Sequence, residues 1–176
     1  MTDGSEHRIG LISDTHGMLR PEVFAAFEGV ELILHAGDVG DDDIIADLEA
    51  IAPVRAVYGN TDAPGRSRLS AAVELTIDGV RIHVSHGHEV GSPNPERLVA
   101  KYDADVIVYG HTHRQLVARF GSQLVVNPGA AGARRFDIEP SVAILRVAGG
   151  RADVDLIPLE SARQAGDQIS RKWEAG

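Results

Sequence analysis

Short apolar runs rich in β-branched residues alternate with helical stretches over the first third of the chain. The runs at residues 8–13, 31–36 and 54–58 are short and predict buried strands. The stretches between them, residues 21–27 and 42–51, predict helices, the first with a proline in its first turn. Strands that are joined through helices in this way run parallel to each other, so the pattern indicates a fold of the α/β class.

The second of these helices opens on the acidic triplet Asp41-Asp42-Asp43. We interpret the triplet as an N-cap followed by negative charge that suits the positive end of the helix dipole, and not as a metal site.

The remainder of the chain predicts a different arrangement, dominated by hairpins. One more helix, residues 94–102, leads to a strand at residues 105–109. Three hairpins are expected: residues 73–77 with 81–85 around Asp78-Gly79, residues 115–120 with 123–126, and residues 141–147 with 153–157 around Gly149-Gly150. We expect a single mixed α/β domain over residues 1–176, with its core at about 8–158 and a polar helix or frayed tail at 159–176.

Charge and cysteine content narrow the classes of function. The chain of 176 residues has 17 Lys+Arg, 26 Asp+Glu and a formal net charge of −9, which makes polymeric nucleic acid an unfavourable partner. It has no cysteine, so disulfides, thiolate metal sites and cysteine nucleophiles are excluded. No apolar stretch reaches the roughly 18 residues that cross a bilayer, and the polar residues 1–7 are unlike a signal peptide. We therefore expect a cytoplasmic protein with no membrane partner.

Polar motifs follow directly after five of the predicted strands. They are Asp14-Thr15-His16, Gly37-Asp38, Gly59-Asn60-Thr61-Asp62, His86-Gly87-His88 and Gly110-His111-Thr112-His113. In α/β sheets, ligands bind at the carboxyl ends of the strands, so all five motifs are expected to meet in one crevice.

These motifs together predict a metal site. Carboxylate, amide oxygen and imidazole suit divalent Mn, Fe, Co, Ni or Zn. The candidate ligands are too many for one ion, whereas two ions that share an aspartate would use all of them. Each motif alone has a simpler interpretation as a turn or a cap. Gly-His-Thr-His is more specific, because two imidazoles two residues apart in an extended segment project to the same side.

The other histidines call for a different interpretation. His7 lies in the polar N-terminal segment and is expected to be solvated. His35 and His83 occupy interior strand positions and are expected to be packed or hydrogen-bonded. His88 lies beside the predicted site, and its role is left open between supporting a ligand and contacting substrate.

In their order, these motifs resemble D-x-H, G-D, G-N-x-D, G-H and G-H-x-H of the calcineurin-like metallophosphoesterase superfamily. The short chain, Gly59-Asn60-Thr61-Asp62, His86-Gly87-His88 and Asn127-Pro128-Gly129 are most similar to its small YfcE-type phosphodiesterase branch. The resemblance runs over residues 8–132. It implies a four-layer α/β/β/α sandwich, made of two mixed β-sheets flanked by helices.

The resemblance also implies a dinuclear metal centre. By the pattern of the superfamily, Asp14, His16 and His113 hold one ion. Asn60, His86 and His111 hold the other, and Asp38 bridges the two. The implied cofactors are two divalent metal ions, manganese first, with nickel, iron, zinc and cobalt as alternatives.

Such a site predicts a metal-dependent phosphodiesterase that acts on small phosphate esters. Two divalent ions carry more charge than two aspartates return, so the site attracts phosphate even in an acidic protein. Water that bridges the ions would supply hydroxide to attack phosphorus. Many superfamily members have histidine where this chain has Thr61, so a leaving alkoxide here needs its proton from His88, His16 or solvent. We therefore expect diesters with good leaving groups to be cleaved best.

Supporting and substrate-binding roles fall on residues beside the ligands. Asp62 is expected to orient a metal-bound histidine. Asn60, Arg134 and Asn127 are the candidate substrate contacts, although for Asn127 the favoured interpretation is that it forms the turn into Pro128. Three further arginines that flank the motif loops can bind phosphate or be solvated: Arg66, Arg68 and Arg135.

Three alternatives compete with a phosphodiesterase. A phosphomonoesterase of the same fold would use the same metals. A non-catalytic scaffold resembling the retromer subunit of this fold would be expected to have degraded ligand positions, and none of the positions is degraded. Metallohydrolases of the β-lactamase-like or amidohydrolase type begin with His-x-His, whereas here Asp-x-His comes first. The oligomeric state is left open, a homo-oligomer included.

Overall fold

The parallel strands predicted in the first third of the chain form the centre of a six-stranded sheet. The computed structural model describes residues 4–159. In this sheet β1 (His7–Ile12), β2 (Leu32–His35) and β3 (Val54–Val57) run parallel to one another. The other members are β4 (Leu69–Ser70), β10 (Ser141–Ala148) and β11 (Arg151–Pro158), and the order is β11-β10-β1-β2-β3-β4.

The second sheet contains five strands and two of the predicted hairpins. The strands are β5 (Val73–Ile77), β6 (Val80–Val84), β7 (Val106–Val108), β8 (Leu116–Phe120) and β9 (Gln123–Asn127), in the order β5-β6-β7-β9-β8. The hairpins β5–β6 and β8–β9 are antiparallel, whereas β6, β7 and β9 are parallel. Both sheets are therefore mixed, as predicted.

Helices cover the outer face of each sheet. The helices are α1 (Glu22–Ala26), α2 (Asp42–Glu49) and α3 (Pro95–Lys101). A core between the sheets includes the buried side chains of Leu11, Leu34 and Val108. A second core contains residues of α1, α2 and the first sheet, and a third contains residues of α3 and the second sheet. Three apolar cores separate four layers, so the predicted α/β/β/α sandwich is confirmed.

Some local predictions differ from the structure. The two-residue strand β4 and a 3₁₀ turn at His88–Val90 are too short to show in a hydrophobic pattern. Asp41 stands at the N-cap position of α2, but its side chain makes no capping hydrogen bond. The acidic triplet therefore contributes charge in the first turn more than a cap. The predicted tail at 159–176 lies outside the described residues, apart from Leu159.

Among residues 4–159 no helix has the length and apolar character to cross a membrane.

Candidate metal centre

The loops that follow the parallel strands of both sheets are hydrogen-bonded to one another. Within the first sheet, the His16 amide donates to the carbonyl of Asp38 over 2.9 Å. Between the sheets, the amide of His111 donates to Asp14 Oδ2 over 3.2 Å, and the His86 ring nitrogen Nδ1 donates to the carbonyl of Ala36 over 2.7 Å. The predicted ligands therefore lie together at one end of the sandwich.

Backbone strain is concentrated at this end. In the described part of the chain, positive φ angles at residues other than glycine occur mainly at predicted ligands: Asp14 (55°), His16 (47°), Asp38 (53°), His111 (71°) and His113 (62°). The left-handed region costs a non-glycine residue roughly 1–2 kcal/mol. Such strain persists only where the surrounding contacts impose it, and it is typical of functional sites.

One group of candidate ligands consists of Asp14, His16, Asp38 and His113, and one potential ligand atom from each lies within 4.8 Å of the others. The Nε2 atoms of His16 and His113 are 3.4 Å apart. Nε2 of His113 is also 3.2 Å from Asp14 Oδ1. Two nitrogen ligands about 2.1 Å from a tetrahedral ion are separated by about 3.4 Å, so this spacing suits a shared cation.

The carboxylate of Asp14 provides a direct test of whether a cation fits. Its Oδ2 accepts hydrogen bonds from Ser13 Oγ over 2.6 Å and from the amide of His111. Its Oδ1 is buried and has no hydrogen-bond partner within the described residues. A buried carboxylate oxygen without a partner is unfavourable by several kcal/mol unless a cation approaches it. The residues present therefore fit a metal ion.

The second group consists of Asn60, His86 and His111. Asn60 Oδ1 lies 3.1 Å from His86 Nε2 and 3.0 Å from His111 Nδ1. Because His86 Nδ1 donates to a carbonyl, the neutral ring carries its lone pair on Nε2. That lone pair faces the oxygens of Asn60 and Asp38, which are also acceptors. Either a proton or a cation must lie among these three atoms.

The pKa of His86 reflects this crowding of acceptors. Burial alone would lower it, but the hydrogen bond with Asp38 and the charge of Asp14 raise the pKa above its ordinary value. In the absence of a metal ion, a proton on His86 therefore takes the place that a cation would occupy between the acceptors.

Asp38 lies between the two groups. Its Oδ2 is 3.8 Å from His16 Nε2 and 3.2 Å from His86 Nε2. Burial would raise its pKa, but hydrogen bonds from His86 and from the amide of Thr61 hold the pKa below the ordinary value of an aspartate. Asp38 is thus an ionised carboxylate within reach of both sets of nitrogens.

Asp62 has a different role from the one expected. Its carboxylate accepts hydrogen bonds from the backbone amides of Val39, Gly40 and Gly59 at 2.9 to 3.0 Å. Arg66 Nη1 lies 3.6 Å from it. The prediction that Asp62 orients a ligand histidine is wrong, because its acceptor positions are taken by the two loops that carry Asp38 and Asn60. It holds those loops together.

His35 is packed and hydrogen-bonded, as predicted. Its Nδ1 accepts from the amide of Gly37 over 3.1 Å, so the proton is on Nε2, which lies 3.0 Å from Thr15 Oγ1. Thr15 in turn donates to the carbonyl of Val39. Burial lowers the pKa of His35 to about 4, so the ring is neutral at pH 7.

The predicted substrate contacts are rearranged. Asn127 is fully buried: its Nδ2 donates to the Gly110 carbonyl and to Thr112 Oγ1, and its Oδ1 accepts from the amide of Gly129. It forms a turn and has no free polar atom for a substrate. Arg134 and Arg135 are both exposed, and it is Arg135 that lines a cavity of about 50 Å³ with Asp14, His16, Met18 and His113. We call this the cluster cavity.

Two of the remaining arginines are engaged in ion pairs. Arg66 pairs with Asp42 and donates to the carbonyl of Gly40, and Arg68 pairs with Glu49. Both stabilise the surface near α2 and do not face the ligands.

His88 lies beside the second group. Its ring centroid is 5.4 Å from that of His86 and 6.4 Å from that of His111. Its Nδ1 is buried without a hydrogen-bond partner in the described residues, and it lies 3.8 Å from Glu89 Oε2.

Sequence reasoning missed two residues that support the ligands. Ser13 donates to Asp14, and the amide of Thr61 donates to Asp38 over 2.9 Å. The position of Ser13 directly before Asp14 is a visible signal, whereas a backbone donor such as that of Thr61 leaves no mark in the sequence.

Comparison with known proteins identifies the class. A model of the calcineurin-like phosphoesterase superfamily domain matches residues 8–150. A probable metallophosphoesterase of Methanothermobacter thermautotrophicus is 38% identical over 162 residues, which cover 85% of this chain and 91% of that protein. The phosphodiesterase YfcE of Escherichia coli is 30% identical, over 67% of this chain and 76% of that protein. The chain belongs to the calcineurin-like phosphoesterase superfamily, as its motifs predicted.

A solved structure shows the same fold. Vacuolar protein sorting 29 from Cryptosporidium parvum superposes with a TM-score of 0.74 at 22% identity, over 89% of this chain and 99% of that one. At this level of identity the similarity concerns the fold alone.

Proposed function

We propose that this protein is a phosphodiesterase that hydrolyses small phosphate esters with two divalent metal ions. The observation that carries the proposal is the position of Asp38. Its ionised carboxylate lies between two groups of inward-facing ligands, one of which contains the unpaired oxygen of Asp14.

The residues divide between the two proposed ions according to these distances. Asp14, His16 and His113 would hold the first ion, and Asn60, His86 and His111 the second, with Asp38 shared. Divalent ions bound here would lower the pKa of water at the site and neutralise charge on the phosphoryl oxygens. We propose manganese as the metal, and nickel, iron, zinc and cobalt suit the same oxygen and nitrogen donors.

The protein residues around the ions prepare the site for a phosphate group. The contacts of Asp62 fix the loops that carry Asp38 and Asn60, and His35 fixes the loop before Asp38. The ligands are therefore held in place before substrate binds, which limits the entropy lost on reaching the transition state. Arg135, which lines the cluster cavity, is placed to bind a phosphoryl oxygen.

His88 is the proposed proton donor to the leaving oxygen. Thr61 has no acidic proton to give, and the imidazole of His88 lies next to the second group. His16 is a ligand in this proposal, so its nitrogen is not free for the same task. A donor outside the ligand set explains how an alkoxide can leave without the histidine that many relatives have at position 61.

One observation supports diesters as substrates, and a second supports an enzyme over a non-catalytic scaffold. The Escherichia coli relative is a phosphodiesterase by name. All seven ligand positions are retained: Asp14, His16, Asp38, Asn60, His86, His111 and His113.

We further propose that the protein acts in the cytoplasm, where small phosphate esters are abundant.

The test combines metal counting with hydrolysis. Protein stripped of metal and reloaded with Mn²⁺ is expected to bind two ions per chain. It should hydrolyse bis(4-nitrophenyl) phosphate faster than 4-nitrophenyl phosphate. His111→Ala should bind one ion fewer and lose roughly 10²-fold or more in kcat/KM. His7→Ala, the same change at a histidine remote from the site, is the control and should keep both properties. One ion per chain in the wild type, or full activity in His111→Ala, would contradict the proposal.

A further inference from the structure

A second cavity adjoins the metal centre, and its lining points to the chemistry of the substrate. The cavity has a volume of about 390 Å³ and is lined by Arg114, Gln115, Asp137, Ile138 and Glu139. We call it the rim cavity. We propose that the rim cavity binds the second ester arm of the diester, and that this arm is a neutral, hydroxyl-bearing group such as a polyol or a sugar. This inference rests on the phosphodiesterase activity proposed above.

The position of the rim cavity suits this role. Arg114, on one wall, directly follows the candidate ligand His113. The opposite wall is the turn from Arg135 to Ile138, closed by a hydrogen bond of 3.0 Å from the amide of Ile138 to the carbonyl of Arg135. Because Arg135 lines the cluster cavity and Asp137 lines the rim cavity, the same turn separates the two spaces.

The sizes of the two cavities indicate that a diester must extend from one into the other. The cluster cavity holds about 50 Å³, well below the roughly 300–1,000 Å³ of small-molecule sites. The organic groups of a diester therefore have to extend beyond it. The rim cavity, at about 390 Å³, lies in the range of small-molecule sites, roughly 300–1,000 Å³.

The charged groups of the rim cavity determine which kind of ester arm it can bind. The lining has one guanidinium and two carboxylates, and within residues 4–159 none of the three takes part in an ion pair. The carboxylates can accept hydrogen bonds from hydroxyl groups, while Arg114 and Gln115 can donate to hydroxyl oxygens. A further phosphate on the arm would be repelled by Asp137 and Glu139, which disfavours a nucleic acid chain. Arg114 offsets one of the two carboxylates, so the attraction of the lining for a cationic arm is weaker than two carboxylates alone would give.

The rim cavity is not closed by a side chain of its own turn. Phe136, at the tip of this turn, has a positive φ of 51° and a side chain that is 96% exposed. The apolar residue therefore points away from the lining and leaves the polar groups accessible.

The experiment compares two diesters with the same leaving group, 4-nitrophenyl methyl phosphate and 4-nitrophenyl glyceryl phosphate. In the wild type we expect kcat/KM for the glyceryl ester to exceed that for the methyl ester by about tenfold. In the double variant Asp137→Asn/Glu139→Gln this ratio should fall to about 2 or less. The control Asp153→Asn makes the same chemical change in β11 of the first sheet, where Asp153 pairs with Arg119 of β8 and does not line the rim cavity. It should keep the wild-type ratio.

Two results would overturn the inference: a ratio near one in the wild type, or an unchanged ratio in the double variant. A higher kcat/KM for 4-nitrophenyl phosphorylcholine, which has the same leaving group and a cationic arm, than for the glyceryl ester would also overturn it. Should the wild type hydrolyse neither ester, the proposed function fails and a binding measurement decides the inference separately. Glyceryl methyl phosphate, added to metal-free protein, is expected to shift the side-chain amide signals of Gln115 in NMR spectra, whereas dimethyl phosphate should not. Equal shifts of the Gln115 signals with both probes would overturn the inference.

Discussion

At the scale of single residues, Asp14 and Asp62 show how two buried aspartates of one site differ. Asp62 accepts hydrogen bonds from three backbone amides, whereas Oδ1 of Asp14 has no hydrogen-bond partner within residues 4–159. Burial is similar for the two side chains. The two carboxylates differ in whether one oxygen is left without a hydrogen bond, and only Asp14 gains a partner when a cation binds.

This contrast leads to opposite expectations for Asp14→Asn and Asp62→Asn. Asparagine at position 14 removes an unpaired buried charge but can still accept from Ser13 and His111. Without metal, the variant should therefore be as stable as the wild type or more stable by about 1–2 kcal/mol. Added Mn²⁺ should stabilise the wild type more than Asp14→Asn, because the variant keeps only the ligands of the second proposed ion intact. Asp62→Asn should lose about 2–4 kcal/mol with or without metal, because an amide cannot accept all three hydrogen bonds.

Thermal and denaturant unfolding with EDTA or with Mn²⁺ measure these effects. A marked loss of stability in metal-free Asp14→Asn would show that the carboxylate of Asp14 is needed for the fold itself.

At the scale of the elements, the loop after β3 is packed tightly against the loop after β2. A Cβ placed on Gly59 would overlap the backbone nitrogen and the carboxylate of Asp38. Gly59 has an ordinary φ, so the requirement for glycine arises from this close approach alone. The closeness of the two loops sets the distance between Asp38 and Asn60.

Gly59→Ala is therefore expected to displace Asp38 and weaken metal binding. Loss of the shared ligand should reduce kcat/KM roughly 10²-fold or more, while the helical signal in circular dichroism is retained. Gly65→Ala is the matched control in the same loop, because nothing lies within 4 Å of the added methyl group. With its positive φ it should cost about 1 kcal/mol of stability and leave metal binding intact. Isothermal titration with Mn²⁺ distinguishes the two variants, and normal binding by Gly59→Ala would contradict the expectation.

At the scale of the whole molecule, the site joins loops from both sheets, and the contributing residues are spread from Asp14 to His113 along the chain. The first sheet supplies the loops of Asp14, Asp38 and Asn60, and the second supplies those of His86 and His111. The interlocking hydrogen bonds mean that protons bound at this end affect the stability of the entire fold. His35 is the clearest case, since it is buried and lies outside the ligand set.

The pKa of His35 predicts how stability depends on pH. The folded value is about 4 and the ordinary value is 6.5, so between these two pH values the unfolded chain binds more protons. The contribution of His35 to stability is therefore complete above pH 6.5 and is lost as the pH falls towards 4. Between pH 7 and pH 5 the loss should be about 2 kcal/mol.

The variant His35→Asn isolates this effect from other titrating groups. Its side chain can accept from Gly37 but does not titrate. The difference in unfolding free energy between wild type and variant should shrink by about 2 kcal/mol from pH 7 to pH 5. Denaturant unfolding of metal-free protein at the two pH values measures it, and a constant difference would refute the assignment to His35.

The sequence by itself determined the class of fold and the chemistry of the site. Strand positions follow from local periodicity, and the ligand motifs come directly after strand ends. Both can therefore be predicted from the local sequence, without knowledge of the long-range contacts. The absence of cysteine restricted the donors to oxygen and nitrogen atoms. The superfamily was predicted correctly from the order of the motifs, and the sandwich of two mixed sheets, which that resemblance implied, is confirmed.

Tertiary structure alone decided what the supporting residues do. Asp62 binds backbone amides in place of a histidine, and Arg135 lines the cluster cavity in place of Arg134. Each of these outcomes depends on which atoms of distant segments occupy the neighbouring space, and spacing along the chain does not encode that. The rim cavity has the same origin, because its walls come from residues 114–115 and 137–139, brought together only when the sheets pack.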